Sequence, residues 1–364
     1  MTIMAKKITG ISHDLLIHPG ETIGDILVER GISQAELATI TGVSPAYVCN
    51  VISGKKDISA KFAVALEYAL GISKSFWINL QANYDAELAE ANAQNSITDE
   101  ERTARTGLDE VVKHLRHEEI IPARESIDDS IISLRKALRI SNLANLKAVI
   151  PEGAFRMSSK TAIDPYVIGA WIRLCQIAGE NHSVRNSFDL SKIDELVERA
   201  KEVMCHSDDV HSSLRNLFRD YGIDFSIARN FRGAPIQGYI SKKGDETYQM
   251  VLTIRGSYAD IFWFSLFHEL GHIVNGDAGG AGNFIDYNKN VEIEEKADLF
   301  ASSRLIDQKK YESFVNAGDF RLQTIKKFAA GQHIMPYIVI GRLQREGLLD
   351  YDRYSSEKIR YKWA

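Results

Sequence analysis

Two histidines, His268 and His272, are separated only by Glu269-Leu270-Gly271. An α-helix turns once every ~3.6 residues, so both imidazoles leave one face a turn apart and could grip a single metal ion. Glu269 sits beside them, near the ion but offset. This is the H-E-x-x-H arrangement, two ligands and a carboxylate able to act as general base. The chemistry it supports is activation of water. The pentapeptide arises by chance in roughly one chain in fifty of this length, so a core helix with two incidental histidines competes until a third ligand appears.

A candidate is Glu294, in the stretch Val291-Glu292-Ile293-Glu294-Glu295-Lys296-Ala297-Asp298-Leu299-Phe300-Ala301. The stretch is helical by pattern, with Ala297, Phe300 and Ala301 on one face. Glu294 precedes two of them by three and seven positions, so it turns toward the same core. A His, His, Glu set with one open position is the arrangement of a catalytic zinc site. Glu292 and Glu295 need do no more than favour the helix N-terminus. The joint pattern is far rarer than either half.

These side chains need elements to hold them. Residues 259–276 are apolar around most of a helix circumference, through Ile261, Phe262, Phe264, Leu266, Phe267, Leu270, Ile273 and Val274, which predicts a core helix. Upstream, residues 223–227 and 236–241 alternate as strands, and 248–254 forms a third. The last two are joined by the turn Lys243-Gly244-Asp245-Glu246, which reads as a hairpin. A small sheet therefore precedes the helix and could floor a cleft. A further donor to a reacting carbonyl could come from Tyr287, Tyr337 or His333. His114, His117, His182, His206 and His211 lack partners at ligand spacing.

At the other end, residues 18–85 read as a bundle of short helices. His18-Pro19-Gly20-Glu21 is a turn that launches the first, which Gly31 ends. Ser33 caps the second, with Glu36 completing a capping box. Gly42 makes the turn. Ser44 caps the third, with Pro45 at its first position, and Gly54 stops it. Two short helices around a glycine turn form a helix-turn-helix, whose second helix enters the major groove. Ala46, Tyr47 and Asn50 are the outward positions, while Val48, Val51 and Ile52 pack inward. Lys55 and Lys56 stand ready for phosphates. With Gln34 and Ser44 these make the candidate DNA-contacting set.

The rest sets limits. The chain has 364 residues and a net charge of −5, so nucleic-acid binding must come from a local patch. Hydrophobic residues are 45% and charged residues 26%, the mix of a globular protein. Cys49, Cys175 and Cys205 are scattered, which argues for a reducing, cytoplasmic setting and against a disulfide framework. No apolar run is long enough to span a bilayer. Residues 86–107 are polar and charged and read as a solvated linker helix. Stripes at 127–140 and 171–177 read as packing surfaces.

Two resemblances follow from these residues. The head resembles the HigA-type antitoxins of the Xre helix-turn-helix class. It shares His18-Pro19-Gly20-Glu21, Gly31-Ile32-Ser33-Gln34, Leu37-Ala38, Gly42-Val43-Ser44, Gly54-Lys55, Ile58-Ser59, Phe76-Trp77-Ile78-Asn79-Leu80-Gln81 and Tyr84-Asp85. This implies dimeric binding to a double-stranded DNA operator and partnership with a small toxin. Such antitoxins usually stop soon afterwards, and this chain continues.

Residues from about 190 to 349 resemble the ImmA/IrrE metallopeptidases. The shared features are the run from Phe262 to His272, Glu294-x-x-Ala297-x-x-Phe300-Ala301, and the stretch from Pro336-Tyr337 to Glu346-Gly347. The resemblance implies Zn2+ held by His268, His272 and Glu294, with Glu269 as base, in a gluzincin-type endopeptidase that acts on a regulator, a partner or itself. The rival is a non-proteolytic antitoxin and autorepressor whose second half only binds a toxin, ligand or metal.

The expected fold is α+β, mainly α. It comprises a flexible N-terminus (1–14), an all-α helix-turn-helix domain (15–85) and a helical linker for dimerisation or sensing (86–187). A zincin-like domain with a small sheet (188–350) and a tail (351–364) follow.

Overall fold

The structure is a computed structural model that describes residues 16–150, 163–180, 182, 184, 186–243, 246–255, 257–277, 284–285 and 291–362. The chain divides into two compact units, one drawn from residues 1–105 and 122–133, the other from 106–121 and 134–364. The expected N-terminal segment 1–14 and the tip of the 243–246 turn lie outside the described residues.

The first unit is built on helices α1 (Pro19–Arg30), α2 (Gln34–Thr41), α3 (Pro45–Ile52), α4 (Ala60–Leu70) and α5 (Lys74–Asn95). Their starts and stops follow the chemistry read from the sequence. Ser33, Ser44, Ser59 and Ser73 each accept a backbone N–H in the first turn of the next helix. Gly31, Gly42 and Gly71 end helices in the left-handed region, at φ 66°, 69° and 71°. Ile23, Leu37, Val48, Val51, Phe62, Leu66 and Trp77 form the core. α1 starts at Pro19, inside the stretch read as a turn, because the His18 ring caps it: Nδ1 accepts from Gly20 N at 2.9 Å.

The chain continues through α6 (Asp99–Gly107), α7 (Asp109–His117) and α8 (Ile127–Leu138). This stretch is not the solvated linker that its polarity suggested. Ala91, Glu101, Ala104 and Leu108 are at most 2% exposed. The polar residues between them mark only the outer face of packed helices.

The second unit holds α9 (Pro165–Glu180), α10 (Ile193–His206) and α11 (Val210–Asp220). Strands β1 (Ile223–Ala228), β2 (Gly238–Lys243) and β3 (Thr247–Thr253) come next. They lead to α12 (Ala259–Asn275), β4 (Phe284–Ile285), α13 (Val291–Leu305), α14 (Gln308–Ala317), α15 (Leu322–Ala330) and α16 (Pro336–Arg345). The expected hairpin is present as β2 antiparallel to β3, with Gly238 opposite Leu252. β1 joins β3 in parallel and β4 extends β2, giving the order β1-β3-β2-β4.

One sheet face, with Phe225, Ile240, Met250 and Leu252, shares a core with Trp263, Leu266 and Phe267 of α12. The other lies under α9. Gln249 Nε2 donates to the Cys175 carbonyl at 2.8 Å, and the Trp171 and Tyr239 rings meet edge to face at 6.0 Å. The fold therefore does not divide at 187/188 as expected, since α9 is a layer of the same unit as the sheet. α7 also belongs to it, through Arg232 N donating to Glu110 Oε2 at 2.7 Å.

The last described residues, in the expected tail, form a strap. Ala259 N donates to the Ile359 carbonyl at 2.9 Å, Tyr361 N to the Ser257 carbonyl at 2.7 Å, and Trp263 Nε1 to Tyr361 Oη at 2.9 Å. These bonds hold the start of α12. No helix among the described residues is long and apolar enough to cross a membrane.

Candidate functional site

α12 runs over residues 259–275 and ends at Gly276 in the left-handed region, φ 78°. Its buried surface includes His268, Glu269 and His272, at 7%, 0% and 0% exposed. Buried polar groups on an apolar helix need partners, and both histidines have them. His268 Nδ1 lies 2.9 Å from Asp298 Oδ1, and His272 Nδ1 lies 2.8 Å from Asp277 Oδ2. An ionised carboxylate only accepts, so each Nδ1 carries a proton, and in a neutral imidazole each Nε2 then presents a lone pair, a tautomer assigned from these bonds. The His268 hydrogen bond in turn holds the Asp298 carboxyl below the ordinary carboxylate range.

The two Nε2 atoms face each other at 3.0 Å. Glu294 Oε2 is 3.2 Å from His268 Nε2, and Oε1 is 3.9 Å from His272 Nε2. Two neutral imidazole nitrogens and a carboxylate converging like this repel one another unless a proton or a metal cation sits among them. A tetrahedral zinc with bonds of ~2.0–2.1 Å would space its donors by about 3.3 Å. The donor types, their separations and the outer carboxylates all fit such an ion.

Small residues let the parts approach. A Cβ on Gly271 would lie 3.2 Å from Ala297 Cα, so α13 crosses α12 closely enough for Glu294 to reach the histidines. A Cβ on Gly238 would lie 1.9 Å from Glu269 Oε1, so the start of β2 passes directly against that carboxylate. A cleft of about 970 Å³ reaches His268 and Glu294 from one side, lined by α12, α13 and α16.

His268, His272 and Glu294 are thus brought together, and Glu269, next to His268 in the chain, is fully buried against the start of β2. The suggested carbonyl donors do not join them. Tyr337 is 2% exposed, its hydroxyl pushed up by burial beside Tyr361 and Trp263. His333 occupies a left-handed turn at φ 57° and lines no part of the cleft. Tyr287 lies outside the described residues. Asp277, Asp298 and Gly238 were missed. Asp298 had a signal, being one helical turn after Glu294; Gly238 had none.

In the first unit, Gln34, Ser44, Ala46, Asn50, Lys55 and Lys56 are exposed, and Val48 and Val51 are fully buried. Tyr47 differs from its expected outward place. It is half-buried, its ring edge-on to Phe62 at 5.1 Å and its hydroxyl 3.3 Å from Ser59 Oγ. Lys56 Nζ lies 4.4 Å over that ring. Cys49 is exposed on the same helix and was not among the candidates. His18, Gly20, Gly54 and Gln81 serve the scaffold. A Cβ on Gly20 would strike the Val51 carbonyl at 1.9 Å, Gly54 backs the His18 ring, and Gln81 Oε1 accepts from Ile58 N at 2.9 Å.

A helix-turn-helix family model matches residues 23–77. Virulence-associated protein I of Dichelobacter nodosus is 32% identical over 80 residues, which is 22% of this chain and 74% of that protein. The uncharacterized HTH-type transcriptional regulator YddM of Escherichia coli strain K12 is 32% identical over 73 residues, 20% of this chain and 76% of its own length. Among solved structures, the Pseudomonas aeruginosa antitoxin HigA with higBA promoter is 34% identical, covering 23% of this chain and 97% of that one with a TM-score of 0.21.

Proposed function

Because the chain belongs, through residues 23–77, to the helix-turn-helix family of transcriptional regulators, we propose that it is a DNA-binding regulator whose second unit hydrolyses peptide bonds with zinc. The observation that carries the second half is the meeting of His268 Nε2, His272 Nε2 and a Glu294 carboxylate oxygen, with both imidazole protons held on the far side. His268, His272 and Glu294 would hold the ion. When bound, zinc supplies Lewis acidity toward a peptide carbonyl and toward water. Glu269, adjacent in sequence and shielded by β2, takes a proton from the attacking water and delivers it to the leaving amine. Asp277 and Asp298 keep the imidazoles in the ligating tautomer.

The test is reconstitution. The purified full chain, stripped with chelator, should cut nothing in a mixed peptide library followed by mass spectrometry. One equivalent of zinc should restore cleavage. If zinc binds at one equivalent and no peptide is cut, the non-proteolytic regulator is the correct reading.

For the head, we propose operator binding as a homodimer on paired half-sites, with α3 in the major groove and a small toxin or a second regulator as protein partner. Asn50, exposed on α3, suits a base edge. Asn50→Ala should weaken binding to the chain's own upstream DNA by ~1–3 kcal/mol in gel-shift titrations at fixed salt. Unchanged affinity would remove Asn50 from the contact set.

A further inference from the structure

The cleft continues past the metal site as a groove along α12, where Asp260, Phe264 and His268 mark successive turns of one face. At 1.5 Å per residue the groove is about 12 Å long, room for three or four residues of extended peptide. Its floor is apolar, through Ile261, Phe264, Leu299, Leu305 and Ile338. Three cations stand around it, and their commitments differ.

Lys358 is bound to Asp260 at 2.8 Å with its side chain 10% exposed. Arg342 donates to Glu346 Oε1 at 2.9 Å and to Gln308 Oε1 at 2.8 Å. Arg345 is the open one. Its side chain is 63% exposed, and its guanidinium lies over the Phe264 ring at 4.9 Å. Its ion-pair partner among the described residues is Asp298, at 3.4 Å. A charge-assisted pair closes to about 2.7–2.9 Å, so this contact is loose, and a guanidinium has five N–H donors to offer. The other Asp298 oxygen is occupied by His268. Two further carboxylates face the groove from α13. Glu294 belongs to the metal set, and Glu295 is exposed, where water and salt screen it.

We propose that Arg345 is a specificity-determining residue. It receives an aspartate or glutamate side chain lying one or two residues from the scissile bond, while aliphatic neighbours settle on the groove floor. This rests on the peptide-hydrolase reading, which places the scissile bond at His268 and Glu294. The Phe264 ring lies 4.9 Å from the guanidinium carbon, and the planar fork of donors matches a carboxylate.

The test uses two peptide libraries identical except for Glu or Gln at the positions flanking a central residue. The zinc-loaded full chain should cut the Glu library faster by roughly ten- to a hundredfold. In Arg345→Gln the Glu/Gln ratio should fall to about one, and in Arg345→Glu a Lys library should become preferred. A Glu preference that survives Arg345→Gln overturns the assignment. A second readout does not need turnover: equilibrium binding of the same peptides, labelled, to the Glu269→Gln protein with and without Arg345→Gln. Selective binding in that protein, with no cleavage by the zinc-loaded chain that keeps Glu269, sinks the hydrolase reading and keeps the Arg345 subsite. Cleavage with no Glu selectivity in either readout sinks the subsite alone.

Discussion

Glu269→Gln is expected to leave zinc content at one equivalent and to lower peptide hydrolysis by about 10²–10⁴-fold, the usual range for a positioned proton-transfer group. The substitution keeps size and removes only the basic oxygen. Glu269 is fully buried, and its carboxylate lies where a Cβ on Gly238 would intrude, so the amide has no room to relocate. Metal analysis and initial rates on one peptide substrate check both halves. Retained hydrolysis would assign the base to another group; lost zinc would show that Glu269 supports the ligand set instead.

The second large effect concerns residues that never touch the ion. Asp277→Ala with Asp298→Ala should weaken zinc binding by about 10²–10⁴-fold, taking ten- to a hundredfold for each outer partner. Each aspartate holds one imidazole Nδ1 at 2.8–2.9 Å. Without them the rings can rotate or carry the proton on Nε2, which removes the lone pair a metal needs. Competition with a chromophoric chelator measures the change. Either single variant should show an intermediate loss, and full affinity in the double variant would reduce these bonds to packing detail.

These two residues show where the sequence was legible. α12 is legible almost to its ends, because an apolar circumference and Gly276 are local signals. Glu294 followed from helical phase against Ala297 and Ala301. Asp298 obeys the same phase, one turn further, but it was hidden in an acidic run. Asp277 lies in the turn beyond Gly276, where no periodicity applies.

Long-range pairings were the harder class. The two residues of β4 carry no alternation, and the parallel partnership of β1 with β3 leaves no mark on either strand. The apolar stripe of α9 was recognised as a packing surface, yet nothing local names its partner, so a layer of the second unit was assigned to a linker. In the head the opposite held. Each cap and glycine marks its own helix, and the departures are the start of α1, set by the His18 ring, and the place of Tyr47, whose contact with Phe62 is tertiary.

The strap over α12 sets the two units on different clocks. Trp263 and Tyr361 are 98 positions apart, whereas inside the head Arg30 donates to the Leu70 carbonyl across 40 positions and the His18 and Tyr84 rings meet at 4.8 Å. Folding slows as contacts become less local, since a long loop must close before its contact forms. The head can reach its native state while the start of α12 still awaits its clamp. On the function proposed above, a newly made molecule can occupy DNA before it can cut a peptide, and refolding from urea should resolve a fast helical phase and a slower one reported by Trp263 fluorescence in a chain whose Trp77, Trp171 and Trp363 are replaced by Phe.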